Sequence, residues 1–430
     1  MALLGKKINT SLPSVIIKSN SVLGKIIDKS IETLKIPDGT SLIKYYAFYC
    51  CSYLDIESIP ESVASIGYSA FYGCTSLQSL RTLPSKLTYI SQSCFYHCAV
   101  LDLEDLPEGI TKIYDHAFYG CASLTLQILP DAITEIQKYA FYGCSKMALN
   151  NLPENLTTIG DYAFYNCSDI VVNYMPSGVT SIGDYAFYNC TSLEIYELPE
   201  GLTSVGRSTF WGCASLELTS LPESVQSIGS SAFYGCTNLA LSSLPSGLTS
   251  IAEYAFTNCS NLNLAELPSG VTSIGNYAFD GCTGLPLVLL PEGVTYIGQY
   301  AFRNTLINVI ELPSGMTSIS RSAFYNCTAL GISATPTLVT SIDAYGFRGC
   351  TGLKTMTFNM AMTTIGIYAF ASCTGLTKVT FTGTPAGTIN AKAFYNCTNL
   401  KDIYVPWASG KVSNAPWGAT NATIHYNSTV

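Results

Sequence analysis

One phrase governs the chain. Ala-Phe-Tyr-Gly-Cys or Ala-Phe-Tyr-Asn-Cys, with variants, recurs so regularly that its phenylalanine falls at Phe48, Phe71, Phe95, Phe118, Phe141, Phe164, Phe187, Phe210, Phe233, Phe256, Phe279, Phe302, Phe324, Phe347, Phe370 and Phe394. Phe48 to Phe394 is 346 residues in fifteen steps, twelve of them 23 residues long and the other three departing by one residue. A unit this short cannot bury an apolar face by itself, whereas stacked neighbours can, so sixteen such units predict a solenoid. Length agrees, because 430 residues exceed what one compact core usually holds.

The unit Leu193-Glu-Ile-Tyr-Glu-Leu198-Pro199-Glu-Gly-Leu202-Thr-Ser-Val205-Gly206-Arg-Ser-Thr-Phe210-Trp-Gly-Cys213 shows the plan. Leu193, Ile195 and Leu198 begin with strand-like alternation, and Pro-Glu-Gly is turn chemistry that ends it. A short strand is therefore expected at each unit's start, these strands forming one long parallel sheet. Leu202 and Val205 open a second extended or turn segment. The Ala-Phe-x-x-Cys piece suits a tight corner or a single helical turn packed inward. The fold class is thus a repeat solenoid with a parallel β-sheet on one face and short turns or single helical turns on the other.

The wording PSGVTSIGDYAFYNCTSL over residues 176–193, preceded by Tyr174 and Met175, resembles the BspA-like class of leucine-rich repeats, the treponemal type of 23 residues. The resemblance covers roughly residues 34–403. It implies a curved leucine-rich repeat solenoid and, since such proteins are mostly bacterial or protist surface proteins, adhesion to a host or matrix. Residues 1–33 lack the phrase and read as an amino-terminal cap, residues 34–403 as the array, and residues 404–430, with Trp407 and Trp417, as a carboxyl-terminal cap that breaks the period. The resemblance suggests the cell surface or secretion, yet Lys6, Lys7 and Asn9 interrupt any apolar leader, and localisation stays open.

Composition and motifs narrow the chemistry. Net charge is −8, which argues against binding nucleic acid by phosphate neutralisation, and no apolar run is long enough for a membrane span. Fifteen of seventeen cysteines occupy one slot three residues after the motif phenylalanine, with Thr305 in the remaining unit. Side chains on adjacent coils point in parallel and are poorly aimed for bridging, so a ladder of buried free thiols is expected. Cys50 and Cys94 lie outside it. Cys94, His97, Cys98 and His116 have loosely metal-like spacing, but His97 fills the Gly or Asn slot and His116 a tyrosine slot, so no metal is expected. No nucleophile elbow, phosphate loop or dinucleotide fingerprint occurs, and three histidines leave few general bases. The expectation is no enzyme and no cofactor. The sequons at Asn166, Asn189, Asn258, Asn326 and Asn396 arise from the repeat's own wording. Tyrosines beside the motif phenylalanine are expected to be stacked rings within the coil, the sharper alternative being an exposed strip for sugars or peptides.

If Leu193, Ile195 and Leu198 point inward, Glu194, Tyr196 and Glu197 face outward. Equivalent slots hold Asp102, Glu104, Asp105, Asn150, Asn173, Tyr174 and Glu217. They predict a polar, acidic and aromatic strip for a protein or glycan ligand, on a chain expected to be monomeric. Pro286, Val288 and Leu289 should contribute less to a polar ligand. Two functions fit: a binding or adhesion protein, and alternatively a prophage or virion structural or receptor-binding protein.

Overall fold

The computed structural model describes residues 22–383 and 387–428. Residues 1–21, most of the expected amino-terminal cap, lie outside them. The chain is a parallel β-solenoid, and no helix occurs among the described residues. It divides into two compact units, residues 1–193 and 194–430.

The paired strands are not where the alternating leucines place them. In the first unit they are two-residue pieces at the Thr-Ser-Ile position: Val22–Leu23, Leu42–Ile43 and Ser65–Ile66 form one parallel sheet, and Tyr89–Ile90, Lys112–Ile113, Glu135–Ile136, Thr158–Ile159 and Ser181–Ile182 form another. Registers run coil to coil, Ile136 against Ile159 and Ile159 against Ile182. The second unit repeats this from Ser204–Val205 to Thr364–Ile365 in three short sheets. Among the described residues a strand at the unit's start appears only at Thr355–Phe358, Lys378–Phe381 and Asp402–Tyr404, which pair in that order with Thr423–His425 following, while isolated bridges such as Glu266 to Leu289 mark the same position elsewhere. The reason lies in the sequence. Leu353-Lys-Thr-Met356-Thr-Phe358 alternates buried Met356 and Phe358 around Thr357, whereas Leu101-Asp-Leu103-Glu-Asp-Leu106 leaves two outward residues between buried leucines and runs into Pro107. Two consecutive outward residues break the period of two, and proline supplies no donor.

That proline instead starts a turn. Ile110 N–H donates to Pro107 O at 3.0 Å, and Leu156 N–H to Pro153 O at 3.0 Å, the same bond recurring down the array. The Ala-Phe corner is also a run of turns and not a helix. Around Phe141 the donors alternate: Ala140, Tyr142 and Cys144 bond three residues back to Gln137, Tyr139 and Phe141, while Tyr139, Phe141 and Gly143 bond to Asp161, Ala163 and Tyr165 of the next coil. This alternation needs left-handed backbone at two slots per coil, as at Tyr139 (φ 57°) and Gly143 (φ 73°), or Tyr162 (57°) and Asn166 (57°). Glycine and asparagine tolerate that region best, which explains the alternating GC and NC wording.

The interior is a set of columns. Phe118, Phe141 and Phe164 are fully buried and stack with centroids 5.3 and 5.5 Å apart, and in the second unit Phe256, Phe279 and Phe302 do so at 5.5 and 5.4 Å. The ladder cysteines are buried and free. Down the array the S–H donates to the phenylalanine carbonyl of the preceding coil, as Cys144 does to Phe118 O at 3.2 Å and Cys167 to Phe141 O at 3.0 Å, whereas the first, Cys51, accepts from Lys29 Nζ. At Thr305 a hydroxyl takes the slot and donates to Phe302 O at 2.7 Å.

Two of the sheet breaks fall at irregular steps. Between Ile66 and Ile90 the step is 24 residues, and between Ile297 and Ile319 it is 22. At both, a buried serine follows, Ser91 or Ser320, whose hydroxyl donates to the carbonyl of Ile66 or Ile297. The tail loses the repeat wording but keeps its coil. Trp417 is fully buried, its carbonyl accepts the Phe394 N–H at 2.9 Å, and Thr423–His425 extends the last sheet.

Candidate functional site

Because Leu101, Leu103 and Leu106 are buried, Glu104 and Asp105 are exposed and Asp102 is half-buried. Asn150, Asn173 and Tyr174 are exposed by the same logic in the first unit. In the second unit Tyr196, Glu197 and Glu217 are exposed and Glu194 is half-buried beside buried Ile195. The facing read from alternation therefore holds, although these residues lie on irregular backbone and not on a sheet. Coils are joined here by sparse bonds, such as Glu104 N–H to Arg81 O at 2.8 Å and Ser242 N–H to Thr219 O at 3.1 Å. Farther along the second unit the same outward slots turn apolar. Val288, Leu289 and Ile310 are 52, 58 and 65% exposed.

The tyrosine columns have a different standing. Tyr72, Tyr96, Tyr119, Tyr142, Tyr165 and Tyr188 stack at 4.4 to 4.6 Å with planes within 9° of parallel. A second column places His116 on Tyr139 at 4.7 Å and Tyr139 on Tyr162 at 4.7 Å. Each inner ring is covered on both faces by its neighbours, so the faces a sugar would stack on are taken. Burial raises the phenol pKa of Tyr119, Tyr142 and Tyr165. His97 packs edge-on against Tyr96 at 4.6 Å, while Cys98 donates its thiol to Phe71 O at 3.1 Å. Among the described residues no cluster of three or more His, Cys, Asp or Glu side chains is placed to hold a metal.

One feature of the first unit was not foreseen. The coil Leu77-Gln-Ser-Leu80-Arg-Thr-Leu83 holds one residue more than Leu101-Asp-Leu103-Glu-Asp-Leu106, and it bulges. Asp55 pins one side, accepting from the backbone N–H of Gln78 and Ser79 at 3.0 and 2.8 Å and from Ser79 Oγ at 2.6 Å. Asp102 pins the other, with Arg81 Nη1 at 2.6 Å and Thr125 Oγ1 at 2.6 Å. Partial burial raises the Asp102 pKa, but the bonds from Thr125 and Arg81 outweigh it and hold the carboxyl below its ordinary value. Beside the bulge lies an open depression of about 750 Å³ whose lining includes Glu57, Gln78, Arg81, Asp102, Thr125 and Lys146. Only Asp102 of these was singled out from sequence. The 24-residue step from Phe71 to Phe95 is the signal that marks the others.

Comparison with known proteins settles the family. The model of the BspA type leucine-rich repeat region matches residues 27–148, 111–223, 203–331 and 332–415. The chain belongs to the BspA-type leucine-rich repeat family. This BspA-type array is similar to a leucine-rich repeat protein of Bacteroides ovatus, 27% identical with a TM-score of 0.51, the match covering 94% of this chain and 87% of that one. It also matches a leucine-rich cell surface protein of Faecalibacterium prausnitzii at 25% identity and a TM-score of 0.42, over 82% of this chain and 87% of the other. A search of curated proteins gave no match.

Proposed function

We propose that this BspA-type chain is a non-catalytic binding protein, acting in adhesion, that presents the outward slots of its coils to a protein or glycan ligand. The observation carrying this reading is a contrast between slots. Phenylalanine, cysteine and tyrosine columns satisfy one another inside the array, whereas Glu104, Asp105, Tyr174, Tyr196, Glu197 and Glu217 project into solvent and change chemistry from coil to coil. A scaffold that fixes its inner slots and varies its outer ones displays a surface, as repeat solenoids do when they bind. Tyr174 and Tyr196, each 46% exposed, supply rigid contact area at small entropic cost. The proposal includes a monomer, with residues 1–33 and 404–430 as caps, and needs no cofactor. The test is a glycan and matrix-protein array probed with the intact chain, followed by Asn173→Ala/Tyr174→Ala and Tyr196→Ala/Glu197→Ala variants. At least one pair should weaken the captured ligand by about tenfold. Unchanged affinity of both, in folded protein, would move the contact off these slots.

A further inference from the structure

The depression beside the bulge has a composition unlike the rest of the outward face. Arg81 spends Nη1 on Asp102 and retains its other guanidinium donors, with half of its side chain exposed. Lys146 is exposed and makes no salt bridge among the described residues, and neither does the exposed Glu57 across the lining. Gln78 adds an exposed side-chain amide, and Ser123 and Thr125 add hydroxyl oxygens. Val100 is the one apolar residue in the lining.

Such a wall has little use for an apolar side chain, and its acceptors and amide match a ligand rich in hydroxyls. The lining holds two carboxylates, Glu57 and Asp102, beside two cations, Arg81 and Lys146; with Asp102 paired to Arg81, the Lys146 ammonium is the cation left to meet an anionic group. The volume lies within the range of small-ligand sites. The bulge gives the location a structural cause, since the segment carrying the additional residue is held at Gln78 by Asp55 and at Arg81 by Asp102. We infer that this depression binds an acidic oligosaccharide, with Lys146 and Arg81 taking the sugar carboxylate and Glu57 and Gln78 taking ring hydroxyls. This rests on the reading of the chain as a binding protein and assigns that function a ligand class and a place.

Calorimetric titration of the intact chain with tri-galacturonate, galactotriose and tri-glutamate tests it. Tri-galacturonate should bind, with affinity falling as salt is raised, and galactotriose should bind at least about tenfold more weakly. Lys146→Ala should weaken tri-galacturonate by about fivefold or more, and Lys146→Arg should keep affinity within about twofold. Lys146 is exposed, so neither variant threatens the fold. Equal binding of galactotriose, an unchanged Lys146→Ala, or no binding of tri-galacturonate overturns the assignment. Tri-glutamate binding as tightly as the sugar overturns its carbohydrate part. A different ligand captured through Tyr174 or Tyr196 would leave the binding function standing while this site failed.

Discussion

Raising the pH should unfold this protein, and the buried thiols set the scale. Burial raises the pKa of Cys121, Cys144, Cys167 and Cys190 above the ordinary value, and near the carboxyl-terminal end Cys327 and Cys397 are pushed up to about 12. In the unfolded chain the same thiols ionise near pH 8.5 to 9, about the model-peptide value. The folded state therefore keeps protons that the unfolded state loses in alkali. Stability is fully present below about pH 8.5 and is lost progressively as pH rises toward the folded values. From about pH 8 to pH 10 each thiol costs about 1.4 to 1.9 kcal/mol. Four neighbouring coils, such as those holding Cys121 to Cys190, then lose about 6 to 8 kcal/mol, comparable with the whole stability of a small domain. Tyr119, Tyr142 and Tyr165, whose pKa values are also raised by burial, act in the same direction at still higher pH. Thermal melts followed by circular dichroism should show a midpoint that is flat below about pH 8 and falls steeply by pH 10, with thiolate absorbance appearing only on unfolding. Cys167→Val should flatten the slope by one thiol's share. A midpoint independent of pH across that window, or thiolate absorbance in the native protein at pH 10, would refute the burial argument.

Three other outcomes are expected. A maleimide should label Cys50, the one exposed cysteine, in the native chain and all seventeen after denaturation; labelling of Cys144 or Cys167 in native protein, read by peptide mass, would contradict the ladder. Phe164→Ala, between Phe141 at 5.5 Å and Phe187 at 5.3 Å, should cost about 3 to 5 kcal/mol in denaturant unfolding, whereas excising one whole coil, residues 142–164, should leave a cooperatively folded array. Asn166→Val, at φ 57°, should destabilise by about 1 to 2 kcal/mol while Asn166→Gly stays close to wild type, because a β-branched residue resists left-handed backbone.

Much of the fold was legible because inner slots repeat. Phe141, Cys144 and Ile159 have the same neighbours as their counterparts 23 residues away, so periodicity alone places them inward and predicts a free-thiol ladder. Strand location was not legible from alternation. Leu193, Ile195 and Leu198 carry the more strand-like wording, yet the backbone pairs at Ser204–Val205, where Ser204 is exposed and Val205 buried. Which segment pairs depends on where successive coils come into hydrogen-bonding register, and the proline at the end of the leucine segment removes one donor from that choice. The thiol–carbonyl bond was also hidden, because a cysteine among phenylalanines reads as a small apolar filler until Phe118 O is found to accept both the Cys121 N–H and the Cys144 thiol. Thr305 fills the same slot with a different bond, its hydroxyl donating to Phe302 O of its own coil, which also accepts the Cys327 thiol.

The outward face follows the opposite logic. In a perfectly periodic array every coil would offer the same surface, and a ligand could slide from one coil to the next with no preferred position. Selectivity must then come from places where the period or the outward residues change. The 24-residue step puts the Gln78–Arg81 bulge over Asp102 and Lys146, and the 22-residue step accompanies exposed Leu306 and Ile310. Two of the three irregular steps thus yield one polar and one apolar locality. In each case a buried serine hydroxyl, Ser91 or Ser320, bonds to the preceding coil where the sheet is interrupted. The array absorbs a local change of length through these side-chain bonds and keeps its phenylalanine column intact across both steps, with Phe71 to Phe95 at 5.4 Å and Phe302 to Phe324 at 5.7 Å. A core that tolerates slipped coils in this way lets the outer surface diversify without refolding the interior, which is the physical condition for one repeat to serve many ligands.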